Sequence, residues 1–83
     1  MSQAWSAGVV FQLLAAMLGL SASAAENHLN LERPRLPGWL GSVELRGLQV
    51  GQSRLTLRAL RRHGGAAVEL VNREGDAELV VRG

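Results

Sequence analysis

The side chains of this sequence that could perform acid–base chemistry are seven carboxylates and two histidines, all from Glu26 onward. Two carboxyl groups act as a catalytic pair only when they face each other about 5–10 Å apart across a substrate. The carboxylates here fall at outward strand positions or in turns, where a carboxylate is ordinarily solvated. We therefore predict no catalytic residue among them. Those on the C-terminal strands and turns are Glu44, Glu69, Glu74, Asp76 and Glu78.

The sequence also lacks the residues that form disulfides and common metal sites. The chain has no cysteine, which removes disulfides and thiolate zinc sites. His28 and His63 are far apart in the sequence, and neither has a second histidine or a cysteine at helical spacing. We predict no metal and no cofactor. A chain of 83 residues without such supports has a small core, so it is either held by a partner or part of something bigger.

The basic residues are nine arginines, since the sequence has no lysine, and the net charge is only +2. Nucleic-acid-binding proteins cluster basic residues on one face, with aromatic residues between them. Here the arginines are interleaved with acids, and Arg61–Arg62 is the one doublet. The sequence therefore predicts a solvated surface of mixed charge in place of a phosphate-binding patch, and no nucleic-acid partner.

The C-terminal part alternates apolar and polar residues with period two, which is typical of half-buried strands. Short turns separate the runs "SVELRGLQV", "SRLTLRAL", "AAVELVN" and "AELVVRG", which favours hairpins between antiparallel neighbours. The pattern predicts four strands, or five if "HLNLE" also forms one, in a meander with a single apolar face. The residues predicted to face the core are Val43, Leu45, Leu55, Leu57, Val68, Leu70, Leu79 and Val81.

A proline-containing segment, "RPRLPGWLG", lies between the two halves of the chain. Pro34 and Pro37 block both a helix and a central strand, so residues 26–41 are predicted to form an extended connector. Trp39 is predicted to anchor this connector by packing on the sheet. A sugar-stacking platform is the alternative interpretation of this tryptophan.

The first 25 residues carry no charge and admit three interpretations. A signal peptide is supported by the apolar run and by the small residues of "SASAA", but the segment lacks basic residues at its start. A membrane span is disfavoured because the run over residues 7–20 is short and contains Gln12. The third interpretation is a buried helix, because a helix that is apolar all round is covered on all sides. A chain this short cannot surround such a helix well, so this interpretation implies further protein upstream.

Four short stretches of the sequence resemble stretches of a known protein family and occur in the same order. "QAWSAG", "LPGWL", "VELRGLQVG" and "REGDAELVVR" are similar, in the same order, to the C-terminal end of bacterial glycogen-debranching (amylo-alpha-1,6-glucosidase-like) proteins, which are six-hairpin glycosidases. The resemblance covers nearly the whole chain. It implies an α+β fragment with one buried N-terminal helix. Residues 1–25 would be the last helix of an (α/α)6 barrel, residues 26–41 the connector, and residues 42–83 an antiparallel β subdomain.

The same resemblance implies a function for the parent protein. The chain would be the non-catalytic structural end of a glycoside hydrolase whose catalytic carboxylates stand on barrel loops outside it. Gln3 and Trp5 begin the helix where family members approach the sugar, so Trp5 would line that site, with core packing as the alternative. The implied partners are the upstream barrel and, through it, an α-glucan, in the cytoplasm and away from membranes. A small exported β protein and a free-standing interaction module remain as alternatives.

Overall fold

The computed structural model describes the backbone of residues 3–83 and the side chains of residues 10–83. Over this range the chain forms one helix followed by six strands, which is the small α+β arrangement that the sequence predicts in outline. The elements are α1 Gln3–Leu18, β1 Leu20–Ser23, β2 His28–Glu32, β3 Ser42–Val50, β4 Ser53–Arg62, β5 Gly65–Glu74 and β6 Glu78–Arg82.

Within residues 3–83 the strands form two three-stranded sheets, which differs from the predicted single meander of four or five strands. Strands β3, β4 and β5 do form an antiparallel meander. Strand β6 leaves that meander and pairs in parallel with β2, while β1 pairs with β2 in the antiparallel direction. The sequence could not specify this arrangement, because period-two alternation identifies a strand without identifying its neighbours.

Strand β1 is missing from the sequence prediction because its residues, "LSAS", are mostly small and polar and are poor strand formers. It becomes a strand through its ladder with β2, in which Leu20 pairs with Leu31 and Ser23 pairs with His28. The sheet of β1, β2 and β6 thus takes one strand from each of the three predicted parts of the chain, residues 1–25, 26–41 and 42–83. The division of the chain at these boundaries into separate units stays a prediction.

A tight turn at Gly19 separates α1 from β1. Its φ of 62° is left-handed, and its N–H donates to the carbonyl of Ala16 at 3.2 Å, which caps the last helical turn. The N–H of Glu32 donates to the Gly19 carbonyl at 3.1 Å and holds β2 close. A Cβ on Gly19 would overlap the backbone oxygen of Glu32. Glycine is therefore required here by backbone conformation and by space.

Over residues 10–18, where the side chains of α1 are described, the helix is buried only in part, whereas the sequence predicts a fully buried helix. Leu14 and Leu18 are 3% and 0% exposed. Val10, Phe11 and Leu13 are 43%, 42% and 44% exposed. The physical reason is size, since residues 3–83 form no second helix that could cover these three side chains.

The hydrophobic core joins the end of α1 to both sheets and to the connector. Its buried members are Leu14, Leu18, Leu29, Leu31, Leu36, Leu45, Val50, Leu55, Leu57, Ala59 and Ala77. Six residues that the sequence predicts to face the core lie in it or pack against it, namely Val43, Leu45, Leu55, Leu57, Val68 and Leu79. Leu70 and Val81 are 37% and 45% exposed instead, because β5 and β6 are edge strands of their sheets.

A β-bulge in β3 shifts the alternation of inward residues. The pairing of Leu45 with Leu57 is followed by that of Leu48 with Leu55, so β3 holds one residue more than β4 between these pairs. Gly47 lies in the bulge with a φ of 68°. As a result, Leu48 follows Leu45 on the inward face although three positions separate them.

Trp39 is 69% exposed, so it does not anchor the connector as predicted. It lies in a turn that is closed by a hydrogen bond from the Leu40 N–H to the Pro37 carbonyl at 3.0 Å. The connector is held instead by Leu36, which is buried, and by Leu40, which packs against the core. These leucines on either side of the turn fill the space against the core and leave the indole outside.

Candidate functional site

Helix α1 carries an apolar stripe that the rest of the chain covers only at its C-terminal end. Val10, Phe11, Leu14 and Leu18 have the spacing of three, four and seven positions that places residues on one side of a helix. Leu14 and Leu18 are buried, whereas Val10 and Phe11 are exposed, as is Leu13 beside them. The apolar stripe therefore continues beyond the core as a surface that a neighbouring element can cover.

Glu44 and Glu69 share the guanidinium group of Arg58 on the outward face of the β3–β4–β5 sheet. Arg58 Nη1 lies 3.0 Å from Glu69 Oε1, and its Nη2 lies 3.5 Å from Glu44 Oε1. Arg46 Nε donates to the other oxygen of Glu44 at 2.6 Å. This hydrogen bond, assisted by Arg58, lowers the pKa of Glu44 below its ordinary value of 4.5. A general acid needs a raised pKa, so the arrangement favours surface pairing over proton donation.

Asp76 belongs to a structural turn between β5 and β6. Its Oδ1 accepts a hydrogen bond from Asn27 Nδ2 at 2.8 Å, which ties this turn to the one between β1 and β2. The N–H of Asp76 and that of the next residue donate to Ser53 Oγ at 3.2 and 3.1 Å. Ser53 is 2% exposed, so its hydroxyl takes the place of water as the partner of these donors. Glu74 and Glu78 are exposed on either side of the turn.

An open groove of about 850 Å³ lies between the end of α1, the connector and the β4–β5 turn. Its basic side chains come from two separate stretches, with Arg33 and Arg35 on the connector and Arg62 and His63 at the turn. Glu32 adds an acidic side chain to the lining. We call this the connector groove. The sequence shows both pairs of basic residues, but nothing in it indicates that they meet, because the two stretches are distant along the chain.

The other residues that the sequence singles out are not gathered into a site. Gln3 and Trp5 lie in α1, but their side chains fall outside the described residues. Among the residues that the structure describes, no three His, Cys, Asp or Glu side chains are grouped closely enough to hold a metal ion. In the same part of the chain, no helix has the length and apolar character needed to cross a membrane.

Comparison of the chain with protein-family models, with curated proteins and with solved structures found no match. These comparisons neither support nor refute the predicted resemblance to glycogen-debranching proteins, which depends on the four sequence stretches and their order.

Proposed function

We propose that the chain is the non-catalytic C-terminal structural part of a carbohydrate-active enzyme that resembles glycogen-debranching proteins. In this proposal, α1 is the last helix of an (α/α)6 barrel that upstream sequence forms, and the strands make a β subdomain at its side. The observation that carries the proposal is the apolar stripe of α1. One end of the stripe is packed on the chain's own core, and the other end is open to a neighbour.

The open end of the stripe favours a permanent partner. Complete burial of a Val, Leu or Phe side chain contributes about 1.5–3 kcal/mol. Val10, Phe11 and Leu13 are each a little under half exposed, so covering all three would contribute roughly 2–4 kcal/mol in total. A neighbouring barrel helix provides the apolar surface for this, and a partner within the same chain loses no translational freedom when it docks.

The carboxylates support a structural role rather than a catalytic one. Glu44 and Glu69 are paired with arginines, and Asp76 holds a turn. We therefore place the acid and the base or nucleophile of the parent enzyme on its barrel, where the α-glucan would bind. In this proposal the parent works in the cytoplasm.

The geometry favours retention of the N-terminal segment over its removal as a signal peptide. Leu14 and Leu18 belong to the core, and β1 forms one edge of a sheet. Cleavage after residue 25 would remove both leucines and that strand, and it would leave Leu29 and Leu31 of β2 without part of their packing. A free-standing interaction module would use the same apolar stripe for a separate protein, so it has to be distinguished by experiment.

The proposal is tested by immunopurification of the protein from the cells that produce it naturally, with an antibody raised against residues 42–83. We expect the purified material to release glucose from a branched limit dextrin, and we expect the recombinant 83-residue chain to release none. Antibody that has been saturated with the recombinant chain serves as the control and should recover no activity. Purified native protein without any glucan hydrolysis would overturn the enzymatic part of the proposal.

A further inference from the structure

The connector groove holds arginines that form no ion pair with a carboxylate of the described residues. Among residues 10–83, the ion pairs within 4.0 Å involve Arg46 and Arg58, and none involves Arg33, Arg35 or Arg62. Residues 1–9 contain no acidic side chain that could change this. The lining therefore carries positive charge that is free to bind an anion from solution.

The backbone holds the connector arginines in fixed positions. The N–H of Arg33 donates to the carbonyl of Arg82 at 2.7 Å, and the N–H of Arg35 donates to the carbonyl of Met17 at 3.0 Å. Between them, Pro34 is buried. Arg33 also has a φ of 48°, an uncommon conformation for a residue with a side chain, and such residues concentrate at functional sites.

The opposite wall of the groove is the β4–β5 turn, which lies close to the connector. A Cβ on Gly65, at the β4–β5 turn, would lie only 3.2 Å from the carbonyl oxygen of Pro34. This close approach brings Arg62 and His63 into the lining that Arg33 and Arg35 share. Guanidinium groups present several N–H donors in a planar fork that matches the oxygens of a phosphate group.

We propose that the connector groove binds a small phosphate-bearing anion, with the side chains of Arg33, Arg35 and Arg62 donating to its oxygens. Glu32 also lines the groove, and its negative charge favours a compact, doubly charged group over a long polyanion. The inference does not depend on the proposed function, because it uses only the groove and its charges.

Equilibrium dialysis of the 83-residue chain tests this inference, because the method tolerates self-association of the protein. The probes are inorganic phosphate, pyrophosphate and glucose 6-phosphate. We expect saturable binding that Arg62→Gln and Arg35→Gln each weaken by about tenfold, since each removes a charge-assisted hydrogen bond. Arg54→Gln is the matched control, because Arg54 is exposed on β4 outside the lining and its loss changes net charge equally.

The outcomes distinguish anion binding at the connector groove from nonspecific attraction of anions by the positive charge of the protein. Circular dichroism establishes that each variant is folded, and Arg62 lies at the exposed end of β4, where glutamine is tolerated. Tighter binding of glucose 6-phosphate than of inorganic phosphate would assign the ligand to sugar phosphates, and equal binding would assign it to free phosphate. The inference is overturned if none of the three probes binds at millimolar concentration, or if Arg54→Gln weakens binding as much as Arg62→Gln does.

Discussion

At the scale of single residues, two positions stabilise turns that connect the main elements of the fold. Gly19 lets the chain pass from the helix into the first sheet, and Ser53 satisfies the buried N–H donors of the turn between β5 and β6. Both are small residues. Their importance comes from the backbone that lies against them.

The first prediction concerns Gly19→Ala. The new methyl group would meet the backbone oxygen of Glu32, and alanine would have to adopt a φ of 62°. We expect the free energy of unfolding to fall by about 3 kcal/mol or more, as measured by urea denaturation. Gly38→Ala is the control, because nothing lies within 4 Å of a Cβ there, and its effect should stay within about 0.5 kcal/mol. Equal effects of the two changes would contradict the required turn.

The second prediction concerns Ser53→Ala. Removing the hydroxyl leaves two backbone N–H groups without their acceptor at a buried position. We expect a loss of about 1–3 kcal/mol in the free energy of unfolding. Ser42→Ala, at the exposed start of β3, is the matched control and should change stability very little. A stability of Ser53→Ala equal to that of the native chain would show that the turn does not need this serine.

The third prediction concerns the pH dependence of stability. Because Arg46 lowers the pKa of Glu44 in the folded chain, ionised Glu44 stabilises the fold above its ordinary pKa of 4.5. This contribution is lost as the pH falls through the lowered pKa. Thermal unfolding between about pH 5 and about pH 3 should therefore show a shallower decline for Glu44→Gln than for the native chain. Identical declines would mean that the ion pair is absent in solution.

At the scale of elements, local patterns predicted the strands better than their partners. Alternation placed β3 to β6 correctly, and "HLNLE" forms β2. The parallel pairing of β2 with β6 and the strand "LSAS" were not predictable, because both depend on contacts between distant segments. For the same reason the connector groove could not be predicted, although its arginines are visible in the sequence. Trp39 was misplaced because two neighbouring leucines fill the space that it was expected to occupy.

The fourth prediction belongs to helix α1. Its exposed apolar side chains should make the isolated 83-residue chain self-associate. We expect Phe11→Gln to reduce the apparent mass in light scattering, because it breaks the open end of the apolar stripe. Val71→Gln is the control, since Val71 is similarly exposed, at 44%, but belongs to β5 and not to the apolar stripe. A native chain that is monomeric at high concentration would contradict the proposal that the stripe needs a partner.

At the scale of the whole molecule, our proposal is that the chain packs against a further part of the same protein. Among the described side chains of α1, the core includes Leu14 and Leu18, while Glu44 and Glu69 are paired on the surface and Asp76 is used in a turn. A barrel in the same polypeptide would cover the stripe and supply the catalytic groups. The β subdomain would then stabilise the barrel's last helix through the core that Leu14 and Leu18 share with the sheets.

The intact mass of the protein in its native cells tests this central proposal most directly, after isolation with an antibody against residues 42–83. We predict a polypeptide several times heavier than the 8.9 kDa of the 83 residues, because the barrel and the β subdomain would form one chain. A native species of 8.9 kDa would contradict the proposal and favour a free-standing interaction module. A lighter species that begins after residue 25 would contradict it as well and would favour an exported β protein.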